Sequence, residues 1–101
     1  MLEFARSIER TVSINRLEQA VEEFQNALSK FNPSNLAGTA EQKELRNLLA
    51  TTSQRLYQTK EMEMRGGTAS DVIQRERTAI SNQILDLIYG LDRYPEVSRF
   101  L

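Results

Sequence analysis

Neither cysteine nor histidine occurs in this sequence of 101 residues. Their absence excludes disulfide bridges, thiolate nucleophiles, imidazole general bases and the usual zinc sites. It also excludes a di-iron centre built on Glu-x-x-His motifs. No stretch approaches the roughly 18 consecutive apolar residues of a membrane span. The opening segment carries Glu3, Arg6, Glu9 and Arg10 inside any would-be signal core, so it does not read as a secretory signal. A cytoplasmic setting is the resulting expectation. A strong charge of either sign is missing too, the formal net charge being −1. Acids and bases are evenly spread. Residues 1–31 set Glu3, Glu9, Glu18, Glu22 and Glu23 against Arg6, Arg10, Arg16 and Lys30. Residues 66–101 set Asp71, Glu76, Asp86, Asp92 and Glu96 against Arg75, Arg77, Arg93 and Arg99. No basic stripe of a nucleic-acid binder is present. The expected partners therefore include neither nucleic acid nor membrane, and no cofactor is expected.

What is present is helical periodicity. With 40% hydrophobic and 27% charged residues, the chain is too apolar for disorder and too polar for a membrane protein. Its length allows one domain with one core. The dominant stretch is a glycine break, Gly66-Gly67, followed by apolar residues at Ile73, Ile80, Ile84, Leu87, Ile88 and Leu91. Those spacings of three and four mark one helix face. A second long periodic stretch precedes the break, so the pair reads as a helical hairpin.

The expected fold is all-α, an antiparallel four-helix bundle, with helices near 2–11, 15–31, 40–65 and 69–92. Leu2, Ala5, Ile8 and Val12 share the first face. The series Ile14, Leu17, Val21, Phe24, Leu28 and Phe31 is out of phase with it, which places a turn near Thr11 to Asn15. Asn15 with Glu18 has the form of a capping box, as does Thr39 with Gln42. Pro33 ends the second helix. On the third helix Leu45, Leu48, Leu49, Thr52, Leu56 and Thr59 form a stripe. It turns polar beyond Leu56, leaving Tyr57, Met62 and Met64 as the apolar contributors. Gly66 suits a C-terminal cap, and Thr68 or Ser70 the next N-cap. The predicted core is Ile8, Leu17, Val21, Phe24, Leu28, Leu45, Leu49, Leu56, Ile73, Ile80, Ile84, Leu87 and Leu91. Residues 1–92 form the expected domain, and 93–101, from just before Pro95, a tail or linker.

Chemistry is sparse. Glu22-Glu23, Glu41/Glu44 and Glu61/Glu63 are near pairs of carboxylates, but they fall on predicted solvent faces with Lys43, Arg46, Lys60 and Arg65 nearby. Weak surface ion pairs are their expected role. Gly66-Gly67-Thr68 lacks the lysine and the preceding strand of a phosphate-binding loop. Serines and threonines have neither base nor oxyanion hole. No catalytic or metal-binding residue is predicted. Arg75-Glu76-Arg77 reads as a solvated or interhelical charge cluster.

A contact surface is the remaining possibility. The second half of the fourth helix is apolar almost all round, with Leu85 about 100° and Tyr89 about 140° from Ile84 and Ile88 at the stripe's edge. Either the first two helices wrap that second side, or it meets a partner through Leu85, Ile88 and Tyr89. Should those residues be core, the binding surface is expected around Arg55, Arg75 and Arg77.

From Leu48 to Leu91 the chain resembles the effector-associated domains of bacterial conflict systems, in particular the type 11 group. The resemblance lies in Leu48-Leu49, Arg55-Leu56-Tyr57, Gly67-Thr68-Ala69-Ser70, Arg75-Glu76-Arg77, Ile80 and Ile84-Leu85-Asp86-Leu87-Ile88. Thr78 departs from it, standing where that pattern has asparagine. The resemblance implies a death-domain-like adaptor without catalytic residues, which pairs homotypically to couple an effector to its activator in anti-phage defence. The alternative is a free-standing helical protein: an antitoxin, a chaperone or a structural subunit.

Overall fold

The computed structural model describes residues 2–101, and they are all-helical. Met1 and the side chain of Leu2, a member of the first predicted stripe, lie outside that description. The elements are α1 (Leu2–Ser13), α2 (Leu17–Lys30), α3 (Leu36–Arg65), α4 (Ser70–Tyr89), a 3-10 turn (Leu91–Arg93) and α5 (Pro95–Phe100). At 1.5 Å per residue α3 is about 45 Å long, nearly the 49 Å long axis of the molecule. The shorter helices lie along it. Glu18 at the start of α2 pairs with Lys60 late in α3 at 3.7 Å. At the other end the Gln42 amide donates to the carbonyls of Leu28 and Phe31, both at 2.8 Å. Helices α2 and α3 are therefore antiparallel. Helix α1 packs on α2 and α4, and α4 packs back on α3.

One core joins all of them. Ile8, Val12, Leu17, Ala20, Val21, Phe24, Leu28, Leu45, Leu49, Leu56, Ile80, Ile84, Ile88, Leu91 and Val97 are buried in it. Phe4 meets Phe24 edge-on at 5.3 Å. Of the predicted core, Ile73 and Leu87 are only half-buried. Ile14 leaves its stripe altogether and is 58% exposed. The reason is the turn: Asn15 takes a left-handed backbone (φ 62°), which asparagine tolerates better than most residues. So α2 starts at Leu17, and Asn15 is no cap.

The helix ends also differ from expectation. Helix α3 begins at Leu36, earlier than residue 40, because the Asn35 side chain caps it by accepting from the Gly38 amide at 2.7 Å. Gly38 is buried there, and a Cβ on it would lie 2.9 Å from Pro33 Cβ. Gln42 is thus recruited by α2, and Thr39 only donates back to the Asn35 carbonyl. Gly66 closes α3 with φ 71°, as its position predicts. Ala69, with no side-chain bond, stands at the N-cap of α4, so neither Thr68 nor Ser70 caps it. Helix α4 stops at Tyr89, and the tighter 3-10 turn carries Leu91 into the core.

The largest correction concerns 93–101, which are not a tail. Pro95 occupies the first turn of α5, where a missing N–H costs nothing. Val97 is fully buried, and Phe100 meets Phe31 at 5.2 Å. The Glu41 carboxylate, expected in solvent, accepts from the amides of Glu96 and Val97 at 2.9 and 3.3 Å. It satisfies N–H groups that a helix start leaves unpaired. Burial, with a hydrogen bond to Glu44, raises the Tyr94 phenol above its ordinary pKa.

Candidate functional site

The three residues expected to make a contact surface on α4 divide between interior and surface. Ile88 is 3% exposed and belongs to the core, so it is not a contact residue. Leu85 is half-buried and packs against the same core. Helices α1 and α2 both pack against α4, and the burial of Ile88 fits the wrapped alternative for that residue. Tyr89 alone remains outside, 64% exposed. A hydrogen bond to Glu9 of α1 raises its phenol's pKa, with smaller contributions from desolvation and charge. Leu85→Ser should therefore lower stability by about 1–3 kcal/mol, whereas Tyr89→Ala should change it by about 0.5 kcal/mol or less. Chemical denaturation of the two variants reads this directly, and equal losses would contradict the assignment.

The three arginines do not form one patch either. Arg55 bridges α3 to α4 through Glu76, with Nε and Nη2 at 3.1 and 3.4 Å from its two carboxylate oxygens. Arg77 is committed to its own chain, its side chain only 13% exposed. It donates from Nε to Asn15 Oδ1 at 3.2 Å and from Nη2 to the Asn15 carbonyl at 3.0 Å. Its third nitrogen lies 3.5 Å from Glu63 and 3.8 Å from Glu18. One guanidinium thus ties the α1–α2 turn to α3 and α4. Arg75 is exposed and pairs with Asp71, one helical turn back, at 3.3 Å.

The Arg77–Asn15 contact also marks where α1 and α2 stop. From that level α1 runs back toward Tyr89, and α2 runs back toward Gln42. Helices α3 and α4 continue past it as a two-helix prong closed by Gly66-Gly67. Burial records the change. The buried series of α3 ends at Thr59, and that of α4 begins at Ile80. The next members of the two stripes, Met62 and Ile73, are half-buried. On the prong's outer faces Met64 and Val72 are 85% and 38% exposed, and Tyr57, 63% exposed, stands before the prong beside α2. The polar fade of the α3 stripe beyond Leu56 is the sequence signal for this surface. There it marks only a change of residue type, whereas in the structure α3 keeps α2 as far as Lys60 and then has α4 alongside.

A second surface lies between α3 and the end of α4. It is a groove of about 260 Å³ with Leu48, Thr52, Leu87 and Tyr94 among its walls. Gln83 Oε1 is buried beside it without a hydrogen-bond partner. Among the described residues no three acidic side chains gather in a metal-binding arrangement. No described helix is long and apolar enough to cross a membrane.

These surfaces offer apolar contact and paired charges, and no convergent acid, base and nucleophile. Compared with family models, with curated proteins and with solved structures, the chain has no match in any of the three.

Proposed function

We propose that this chain is a non-catalytic interaction domain of the cytoplasm. In this reading it is an antiparallel four-helix bundle that pairs with like domains and so couples an effector to its activator. The observation that carries the reading is the exposed apolar surface toward the Gly66-Gly67 end of the α3–α4 hairpin, with Met64 and Val72 on the prong and Tyr57 before it beside α2. Large exposed apolar side chains gathered on one element mark contact surfaces more often than isolated ones do. The resemblance of residues 48–91 to effector-associated domains points the same way, since that family works by homotypic recruitment. The ionic side chains fit it as well. Arg55, Arg77 and Glu41 hold helices together, which leaves recognition to the apolar residues and the surface pairs.

Self-association is the expected result. Light scattering across a wide concentration range should show a mass rising from 11.6 kDa toward a multiple of it. A strict monomer at high concentration, together with no binding to any protein bearing a similar helical domain, overturns the reading.

A further inference from the structure

The face of α3 that leads into the prong carries a pattern that selects its partner. Tyr57, Glu61, Met64 and Arg65 recur at intervals of four, three and one along α3, so they share one face of the helix. Together with Lys60 they line a shallow depression of about 360 Å³. Met64 at its centre is the most exposed of them at 85%. Glu61 stands one turn before the centre and Arg65 just after it, joined by an ion pair at 3.4 Å. Glu61 also accepts from Tyr57, which raises that phenol's pKa.

We propose that this α3 face is a two-fold contact with a second copy of the same chain. The inference rests on the interaction reading above and adds the surface and its symmetry. In a two-fold contact each residue before the axis meets the one equally far behind it on the partner. An axis passing beside residue 63, with the helices antiparallel, sets the Glu61 of each copy against the Arg65 of the other. The two Met64 side chains then flank the axis, one residue from it on either side, between these pairs. Tyr57 lies toward the second copy's Gly66-Gly67 turn, where there is open space and no side chain to obstruct it. The acid and the base exchange places under the rotation, so the face is complementary to itself. A partner bearing a single sign of charge would oppose one of the two residues, whereas a second copy opposes neither.

One helix face per copy falls below the roughly 800 Å² that each partner buries in a standard interface. The dimer is accordingly weak and concentration-dependent, as a switchable recruitment contact requires.

Charge reversal on the full chain tests it by sedimentation equilibrium. Glu61→Arg removes the acid and leaves only bases on each face, and Arg65→Glu puts two acids on each beside Lys60. Each variant alone should dimerise at least tenfold more weakly than the parent chain. An equimolar mixture of the two should recover association to within about threefold, because unlike faces then meet. Met64→Glu should also weaken dimerisation at least tenfold while leaving the melting temperature within about 2 °C, because the side chain is exposed. Three outcomes overturn the proposal. Dimerisation unchanged in all three variants shows a contact elsewhere and leaves the interaction reading standing. A parent chain that stays monomeric and binds no similar domain removes both. A mixture no stronger than the separate variants rejects the two-fold register in particular.

Discussion

Val97→Asp should lower the melting temperature by roughly 12–30 °C, the equivalent of about 3–4 kcal/mol in a domain of this size. Val97 is fully buried, and it is the one side chain of α5 that reaches the core completely. A carboxylate in that position either stays buried without a partner or drags α5 out of its seat. Desolvating an unpaired polar group costs several kcal/mol. Undocking instead loses the burial of the valine, about 1.5–3 kcal/mol, along with the Phe31–Phe100 contact. The loss follows the cheaper route, which sets the upper bound. Arg99→Ala is the control: Arg99 is an exposed residue of the same helix, whose bonds to Glu96 and to the Pro95 carbonyl stay within α5, and its replacement should stay within about 0.5 kcal/mol. Glu41→Ala should fall between the two at about 1 kcal/mol, the usual cost of losing a cap. Thermal melts by circular dichroism separate the cases. If Val97→Asp melts like the control, residues 93–101 are a linker after all and α5 does not hold its place.

Phe24→Ala should cost about 3–5 kcal/mol, the range for removing a buried phenylalanine. Phe24 is completely buried on α2. Its ring sits edge-on to Phe4 of α1 at 87° between planes, a geometry worth roughly 0.5–1.5 kcal/mol beyond area alone. The substitution therefore leaves a cavity and also removes a contact that ties α1 to α2. Urea unfolding should show a lower midpoint. The slope should stay near that of the parent chain if the transition remains two-state. A double-mutant cycle with Phe4→Ala should give a coupling of at least about 0.5 kcal/mol. Independent, additive losses would mean that the ring pair contributes nothing of its own.

Phe24 and Val97 show where sequence reading succeeds and where it stops. Phe24 lies in the series Leu17, Val21, Phe24 and Leu28, long enough for the helical period to stand out, and all four are buried. Val97 lies in a helix of six residues, barely two turns, where no period can be established. Pro95 then reads as a break, although proline is equally at home in a helix's first turn. The caps make the same point. Asn35 and Thr39 are both chemically able to begin α3. The choice falls on Asn35 because Gly38 lets the helix start approach Pro33 and Phe31, a closeness that local sequence does not encode.

The candidate surfaces divide in the same way. Leu85, Ile88 and Tyr89 are apolar on too many sides of α4 for all of them to face one neighbour, and that excess is visible in the sequence. Which of them is covered depends on how the neighbouring helices pack on α4: Ile88 is buried, Leu85 half-buried, and Tyr89 stays outside with only its phenol bonded to Glu9 of α1. Arg77 reads locally as part of a charge cluster, yet its main partner is Asn15, 62 residues away.

By itself, then, the sequence determined the helical class, the hairpin about Gly66-Gly67, the lengths of the major stripes and most of the core. These follow from interactions between residues one or two turns apart, which the order of residues records directly. Only the tertiary structure decided that Pro95–Phe100 form α5 and pack on the core, that Ile88 is core, that Arg77 and Glu41 serve other helices, and that α3 and α4 outrun their neighbours as a prong. Each of those depends on which surfaces meet across the fold, and helix-to-helix contacts are set by the lengths and directions of whole elements taken together.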